Sequence, residues 1–356
     1  LLQSVPAKWE KYTNFVLFPE DAFRSDTWSS LLNITVLADL IDGQKYAASS
    51  VSATASDVFF AAVAELLGAS HLARKAPIPV NDVMRRPIID VLFGDWGNWR
   101  NSSRYELDDS LDTTDFEQAF WAQAKQNQVI YHWAPIHTMF CPGNISEKLR
   151  VAQSPHYRCL PHQVVVDLYA GVGYFTLPYL LHAGAATVHA CELNPWSVEG
   201  LRRGARASHL SYRIHGNPPV PAPSSAFLKG ESPRLIIYPG DNAAHVHHYE
   251  KVAHHVNLGL LPSSEAGWPL AVRALRTEGG ILHVHTNARA DELAEWLDHL
   301  RSRLGQLLAH WKTASSWMVS VLHVERVKSF APLVYHYVVD VECRPNLQEN
   351  LSVPLG

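Results

Sequence analysis

Carboxylate and amide side chains follow three short apolar segments, each at the place where a buried strand would end. Asp167 closes VVVD, Glu192 closes TVHACE, and Asp241-Asn242 follow RLIIYPG. In a parallel α/β sheet a ligand binds at the carboxyl ends of the strands, near the point where strand order reverses. An acid at the second strand end can accept hydrogen bonds from ribose hydroxyls. An acid–amide pair at the third could hold an adenine amino group and ring nitrogen, so the pattern predicts a nucleoside-containing ligand.

A pair of glycines follows Asp167 in DLYAGVG, at the turn from the first strand into a helix. Gly171 and Gly173 let the backbone bend and approach a ligand closely. A dinucleotide-binding fingerprint would have a third glycine where Thr176 stands, which disfavours a nicotinamide oxidoreductase. The carboxylate of Asp167 suits a cofactor with amino and sulfonium groups better than one with a pyrophosphate. For the glycine pair alone, a tight turn without a ligand stays an alternative.

From residue 163 onward, strands alternate with helices, which indicates a doubly wound, mostly parallel sheet. The predicted strands are VVVDLY, TVHACELN, RLIIYPGDN, HHVNLGLLPSS and GGILHVHTN. Two late strands, WMVSVLHVERVKSF and LVYHYVVDVEC, predict an antiparallel hairpin at the sheet edge. We expect a smaller mixed α/β N-terminal domain over residues 1–128, a Rossmann-like domain over 129–346, and a tail over 347–356.

Composition limits the class of protein. Hydrophobic residues make up 47% of the 356 residues and charged residues 18%, the balance of a globular protein with a sizeable core. No window approaches the roughly 18 apolar residues of a membrane span, and LLQSVPAKWEKY lacks the features of a secretory signal. The first residue is not Met, which is consistent with a fragment of a longer protein. Cys141, Cys159, Cys191 and Cys343 form no C-x-x-C pair, so we expect reduced thiols in a cytoplasmic protein.

Charge and histidine content bear on nucleic-acid and metal partners. The net charge of −4 counts against a general nucleic-acid binder, although a local basic face remains compatible with it. Five of the 20 histidines, His245, His247, His248, His254 and His255, lie close together in the chain. Their spacing matches no standard ligand pattern, so the sequence predicts no metal site.

Several segments closely resemble the tRNA wybutosine-synthesising protein 2 family. They are VVDLYAGVGYFTLPYLLHAGAATVHACELNPWSVEGLRR, NLGLLPSSEAGWPLAVRAL, GGILHVHTNA and TMFCPGNISEKLRVA. The resemblance is strong over about 129–288 and weaker in the N-terminal part, where WEKYTNFVLFPEDAF and GASHLARKAPI fit. It implies a class I methyltransferase-like fold that uses S-adenosylmethionine. The family's reaction transfers the 3-amino-3-carboxypropyl group to a tricyclic wybutosine precursor beside the anticodon of tRNA-Phe and releases methylthioadenosine.

The family's cofactor contacts can be carried over position by position. They fall on Cys141, Lys148, Glu192, Asp241 and Asn242. Cys141 departs from the family's usual Ser, and because a thiol is a weaker donor than a hydroxyl, a side-chain contact there should be weaker. Lys148 is suited to steering the carboxylate of the cofactor tail, and Arg150 could assist. No nucleophile or general base is predicted, because the sulfonium is already activated.

The acceptor base should enter at the carboxyl end of the fourth predicted strand. Pro262, Ser263 and Ser264 lie there, and we predict that they line its pocket. Ser264 could equally cap the helix that begins near Glu265, and both roles can hold at once. LGLLPSS argues against the sister family of tRNA guanine-N1 methyltransferases, which typically carry an Asn-Leu-Pro-type motif. A non-catalytic tRNA-binding scaffold is the other alternative. We expect a monomer that binds the anticodon stem-loop of tRNA-Phe.

Overall fold

The computed structural model describes residues 5–34, 54–75, 82, 84–97, 113–216, 233–312 and 316–346. The chain divides into two compact units, whose segments are Leu1–Ala124 with His132–Phe140 and Lys125–Tyr131 with Cys141–Gly356. The boundary expected at 128/129 falls inside the short segment of the second unit. The expected tail, 347–356, lies outside the described residues.

The smaller unit has a four-stranded mixed sheet and an aromatic core. Its elements are β1 (Glu10–Lys11), β2 (Phe15–Phe18), α1 (Asp26–Leu32), α2 (Ala55–Leu67), β3 (His71–Lys75), β4 (Ile89–Phe93) and α3 (Thr113–Gln118). The order is β1-β2-β3-β4; β2 and β3 are parallel, and the outer pairs are antiparallel. Phe18, Phe23, Trp28 and Phe60 are buried in its core. The predicted smaller α/β N-terminal part is confirmed.

A hairpin links the two units in sequence, and the larger unit follows it. The hairpin strands are β5 (Ala122–Gln126) and β6 (Val129–Trp133). The next elements are α4 (Ile145–Gln153), β7 (Val164–Asp167), α5 (Thr176–Pro178), β8 (Thr187–Glu192), α6 (Pro195–Ala207), β9 (Tyr212–Ile214) and β10 (Leu235–Pro239). The last are α7 (Val246–Tyr249), β11 (His255–Leu258), α8 (Trp268–Ala274), β12 (Gly280–Arg289), α9 (Leu293–Trp311), β13 (Trp317–Ala331) and β14 (Val334–Pro345).

The larger unit is built on an eight-stranded sheet of order β13-β14-β12-β11-β7-β8-β10-β9. The six strands from β12 to β9 in this order are parallel, and β14 and β13 add an antiparallel hairpin at one edge. Strand order reverses at β7, which lies between β8 and β11. The switch point is therefore the turn after β7, where ligands bind in such sheets. The predicted Rossmann-like fold and its edge hairpin are confirmed.

Burial explains the near-continuous apolar strands. A parallel sheet is covered by helices on both faces, and Val165, Val188 and Val256 are wholly buried. The longest helix, α9, buries Leu300, Leu304, Leu307 and Leu308, the spacing of one helical face. Neither α9 nor any other helix in the described ranges is both long and apolar enough to cross a membrane.

Candidate cofactor site

The turn after β7 requires both predicted glycines. Gly171 has a φ of 56° and Gly173 a φ of 94°, values in the left-handed region that side chains disfavour. A Cβ on Gly171 would lie 2.9 Å from ring carbons of Tyr174, and one on Gly173 would lie 2.7 Å from Leu201 Cδ1. The first glycine therefore permits the turn against Tyr174, and the second permits close packing of the following helices.

Glu192 ends β8 beside this turn, as predicted. Its Oε2 accepts a hydrogen bond from the Gly171 N–H at 2.7 Å, and its Oε1 accepts one from the Asn194 N–H at 2.9 Å. Burial raises the pKa of Glu192 to about 7, although these two backbone hydrogen bonds oppose the shift. Each carboxylate oxygen has a further lone pair, so the group can accept additional hydrogen bonds from ligand hydroxyls.

Asp167 lies beneath the turn and supports it. The side chain is wholly buried. Its Oδ2 accepts from Thr176 Oγ1 at 2.7 Å, and its Oδ1 accepts from Asn257 Nδ2 at 2.9 Å. Burial raises the pKa of Asp167, against these hydrogen bonds. The sequence predicted a direct cofactor contact for this residue. In the structure it ties the turn to the start of α5 and to β11, and the cofactor contact stays a prediction.

Asp241 and Asn242 begin a 3-10 turn at the carboxyl end of β10. Asp241 is exposed, and its Oδ1 accepts from the Ala243 N–H at 2.9 Å. Asn242 Nδ2 donates to the Leu168 carbonyl at 3.1 Å. The backbone carbonyl of Asn242 accepts a hydrogen bond from Tyr249 Oη at 2.7 Å. The acid–amide pair is thereby fixed next to the end of β7.

Lys148 projects from α4 into a buried corner. Its Nζ donates to Gln126 Oε1 at 2.7 Å and lies 4.4 Å from the ring centroid of Tyr131 and 4.9 Å from that of Tyr174. Burial lowers the pKa of Lys148 to about 7. A cation whose pKa is lowered in this way is stabilised by an arriving anion, so the corner suits a ligand carboxylate.

Cys141 and Tyr174 connect this corner to the glycine turn. The Cys141 N–H donates to Tyr174 Oη at 3.0 Å, and Cys141 Sγ accepts from Lys328 Nζ at 3.2 Å. Neither Tyr174 nor Lys328 was predicted as a cofactor-site residue. Tyr174 has a signal in the sequence, because it follows Gly171 within the same turn. Lys328 lies on β13, far from Cys141 in sequence, and local spacing gives no indication of it.

Arg150, two residues after Lys148, has different surroundings. Its guanidinium donates to Glu147 Oε2 and Oε1, both at 2.8 Å, to Asp340 Oδ2 at 2.6 Å, and to Tyr157 Oη at 3.1 Å. These partners raise the pKa of Arg150 against burial, and the pKa of Asp340 is lowered by its His283 and Arg150 partners. These hydrogen bonds direct the guanidinium to groups of the protein, and the suggestion that Arg150 helps to steer a cofactor tail stays untested.

The segment after β11 has one buried and two exposed residues. Pro262 and Ser263 are exposed, whereas Ser264 is buried and its Oγ donates to the His285 carbonyl at 2.9 Å. Ser263 Oγ, not that of Ser264, accepts from the Glu265 N–H, at 3.2 Å. Ser264 therefore holds the N-cap position of the 3-10 turn Glu265–Gly267 without a side-chain capping hydrogen bond, and the Ser263 hydroxyl bonds the first N–H of that turn. That this segment lines an acceptor pocket stays a prediction.

Comparisons with known proteins bear on the fold and the family of the chain. Residues 124–217 match the TRM5/TYW2 methyltransferase domain family. Among solved structures, P. horikoshii TYW2 in complex with MeSAdo has a TM-score of 0.61 at 16% identity, covering 97% of this chain and 94% of that chain. Trm5b from Pyrococcus abyssi has a TM-score of 0.58 at 15% identity, covering 96% and 77%. These structural likenesses show the shared fold.

Sequence relatives are more specific. The chain is 34% identical to tRNA wybutosine-synthesizing protein 2/3/4 of Arabidopsis thaliana over 97% of its own length, but it spans 27% of that protein. It is 34% identical to tRNA wybutosine-synthesizing protein 2 of Schizosaccharomyces pombe, covering 95% of this chain and 73% of that protein. The Bos taurus homolog is 31% identical, with 96% and 72% covered. With this identity over most of the length of two relatives, the chain belongs to the tRNA wybutosine-synthesizing protein 2 family.

Proposed function

We propose that this chain transfers the 3-amino-3-carboxypropyl group of S-adenosylmethionine to the tricyclic wybutosine precursor base beside the anticodon of tRNA-Phe. The observation that carries the proposal is a continuous set of contacts from Glu192 through the glycine turn and Tyr174 to Lys148. A hydrogen-bond acceptor for ribose lies at one end of it, and a buried cation for a carboxylate lies at the other. Membership of the wybutosine-synthesizing family supports the same reaction.

The residues present fit S-adenosylmethionine. Glu192 would accept hydrogen bonds from the ribose hydroxyls, and Asp241-Asn242 would hold the adenine edge. The glycine turn brings the backbone close to the ligand, because a side chain on Gly171 would meet the Tyr174 ring. Lys148 would hold the tail carboxylate by a charge-assisted hydrogen bond. Fixing both ends of one ligand determines which of the three carbons on its sulfonium faces the acceptor.

S-adenosylmethionine would supply the activated bond between the γ-carbon of its tail and sulfur. The acceptor ring carbon would bond to that γ-carbon, the electron pair of the broken bond would stay on sulfur, and methylthioadenosine would leave. The proton of the ring carbon would pass to solvent water. The protein's part is orientation, and no residue needs to act as a nucleophile. Lys148 is the residue that we propose to orient the tail, because the place where the carboxylate is held decides whether the γ-carbon or the methyl group faces the acceptor.

tRNA is the second partner in this proposal. The solved complex of aTrm5 with tRNALeu has a TM-score of 0.54 to this chain at 15% identity, so a related fold accommodates tRNA. We propose contact with the anticodon stem-loop, where the acceptor base must leave its stack to reach the site. The segment at Pro262, Ser263 and Ser264 would receive it. We further infer a cytoplasmic monomer; the four unpaired cysteines support a reducing compartment.

A two-label transfer assay tests the proposal. The protein is incubated with tRNA-Phe carrying the wybutosine precursor and with S-adenosylmethionine labelled on either the methyl carbon or the carboxypropyl carbons. We expect carboxypropyl label in the tRNA and release of methylthioadenosine. Glu192→Ala serves as the control without a cofactor site. Methyl label in the tRNA would instead indicate guanine-N1 methyl transfer, and tRNA binding without either label would indicate the non-catalytic scaffold.

A further inference from the structure

Three histidines converge beside the end of β10, outside the site described above. His215 follows β9, His245 ends the 3-10 turn that begins at Asn242, and His248 lies in α7. One ring nitrogen from each lies within 4.8 Å of the other two. Among the described residues, it is the one group of three or more His, Cys, Asp or Glu side chains whose possible ligand atoms lie this close together. The sequence predicted no metal site because the spacing of the five histidines from His245 to His255 matches no standard ligand pattern, and His215 lies outside that group.

The triad packs around one aromatic ring. The ring centroid of Tyr238 lies 5.4 Å from those of His215 and His245 and 5.5 Å from that of His248. The imidazoles of His215 and His248 are 4.1 Å apart. Tyr238 is itself buried, and its Oη is hydrogen-bonded to His189 Nδ1 at 2.9 Å. The three imidazoles are therefore held against a fixed surface and are only partly exposed.

One imidazole already has the outer hydrogen bond that metal-binding histidines require. His245 Nε2 lies 2.8 Å from the Pro239 carbonyl oxygen. A carbonyl can only accept, so Nε2 carries the proton and Nδ1 keeps its lone pair. Histidine ligands usually donate their second ring N–H to a carbonyl or carboxylate, which fixes the tautomer and the ring orientation.

We propose that His215, His245 and His248 form a binding site for one divalent transition-metal ion of the zinc class. Imidazole nitrogens suit zinc, cobalt and nickel. In a tetrahedral zinc site with bonds of about 2.0–2.1 Å, ligand nitrogens lie about 3.4 Å apart. Because the present nitrogens lie within 4.8 Å of one another, their separations must shorten by up to about 1.4 Å. Three protein ligands leave a fourth position for water, the arrangement of open zinc sites. The site does not depend on the proposed transferase function.

The ligand set determines which ions the site would take. Three imidazole nitrogens favour ions with strong nitrogen affinity, so we expect no measurable binding of magnesium or calcium, which prefer oxygen ligands.

Metal titration of the full chain without a polyhistidine tag tests the site. Zinc binding is measured by calorimetry, and cobalt is added separately because the absorption spectrum of bound cobalt reports tetrahedral nitrogen coordination. His215→Ala, His245→Ala and His248→Ala are compared with His247→Ala, a matched control on the same helix that is not in the triad. His245→Gln is a second variant that keeps a side-chain donor for the Pro239 carbonyl. Circular dichroism without metal checks that each variant is folded.

We expect one zinc ion per chain, and each triad substitution, including His245→Gln, should weaken binding by at least about tenfold, whereas His247→Ala should leave it within about twofold. Cobalt should give a tetrahedral spectrum in the unsubstituted chain and in His247→Ala alone. The proposal is overturned if the unsubstituted chain binds no stoichiometric zinc. It is also overturned if His247→Ala weakens binding as much as the triad variants do, which would indicate diffuse binding to surface histidines.

Discussion

Lys148 and Arg150 lie two residues apart on α4, yet their charged groups have different partners and opposite pKa shifts. Arg150 bonds two carboxylates and a tyrosine hydroxyl, and these partners raise its pKa. Lys148 bonds a neutral amide and lies over two aromatic rings, and burial lowers its pKa to about 7. The first environment stabilises its cation, whereas the second destabilises it. A buried group whose charged form is destabilised is a candidate for a functional site. The comparison therefore assigns a structural role to Arg150 and a ligand-binding role to Lys148.

The largest expected effect is on stability, from Arg150→Met. The change would leave Glu147 and Asp340 buried without their cation, since both side chains have no exposed surface. Removing one partner of a buried ion pair costs about 3–5 kcal/mol. We expect the free energy of unfolding to fall by about that amount, measured by urea denaturation.

Lys148→Met is the matched control for that experiment. It removes a cation that burial already disfavours, so the free energy of unfolding should change by less than about 1 kcal/mol. If both variants lost equal stability, Lys148 would be as structural as Arg150 and the contrast between them would be invalid.

Next in size is the loss of cofactor affinity in Glu192→Ala. Two hydrogen bonds from ribose to a carboxylate are worth about 1.5–3 kcal/mol each, so affinity should fall by about 100-fold or more. Because the ribose is common to S-adenosylmethionine and methylthioadenosine, both ligands should be affected equally. Calorimetry on the folded variant measures this, and unchanged affinity for either ligand would remove Glu192 from the site.

Lys148→Met should instead distinguish the two ligands. S-adenosylmethionine carries the tail carboxylate and methylthioadenosine does not. Loss of one charge-assisted hydrogen bond of about 1.5–3 kcal/mol should weaken S-adenosylmethionine by about 10- to 100-fold, with methylthioadenosine within about twofold. An equal loss for both ligands would place Lys148 against the adenosine half and contradict its assignment to the tail.

Two groups that titrate near pH 7 give the ligands different pH profiles. Below pH 7 Glu192 is protonated, since its pKa is raised to about 7, and it accepts fewer hydrogen bonds. Affinity for methylthioadenosine should therefore fall by about fivefold between pH 7 and pH 6. Affinity for S-adenosylmethionine should fall by only about threefold, because Lys148 gains its proton over the same interval. Above pH 7 Lys148 loses its proton, since its pKa is lowered to about 7, so S-adenosylmethionine alone should weaken.

The ligand's own α-amino group, with a pKa of about 7.7–8.0, also titrates in the alkaline range. Repeating the titration with Lys148→Met isolates it, because the variant retains only the ligand's contribution. A methylthioadenosine profile that also declined above pH 7 would show that another protein group controls the alkaline side.

The sequence was informative wherever the signal was local. Glu192 and the glycine turn follow from strand ends and from the backbone freedom of glycine. The surroundings of Arg150 could not be predicted from the sequence, because its partner Asp340 lies 190 residues away in the chain. Asp167 was placed at the right strand end, but the hydrogen bond that it accepts from Asn257, 90 residues on in the chain, was not foreseen. Strand β9 was not predicted, because its three residues are too few to form a periodic pattern. The spacing of residues in the sequence predicts where a site residue lies, whereas contacts with residues distant in the chain determine the role of its side chain.

The smallest effect concerns Cys141, which replaces the family's usual Ser at the edge of the Lys148 corner. Its backbone N–H donates a hydrogen bond to Tyr174 Oη, and its Sγ accepts one from Lys328 Nζ. A hydroxyl is a stronger donor than a thiol, so Cys141→Ser should improve S-adenosylmethionine affinity by about threefold, the size of a weak hydrogen bond. Cys141→Ala should weaken binding slightly if the side chain contacts the ligand. Equal affinity in all three proteins would show that the Cys141 side chain makes no contact with the ligand, and Lys148 would then be the residue in this corner whose side chain selects the tail.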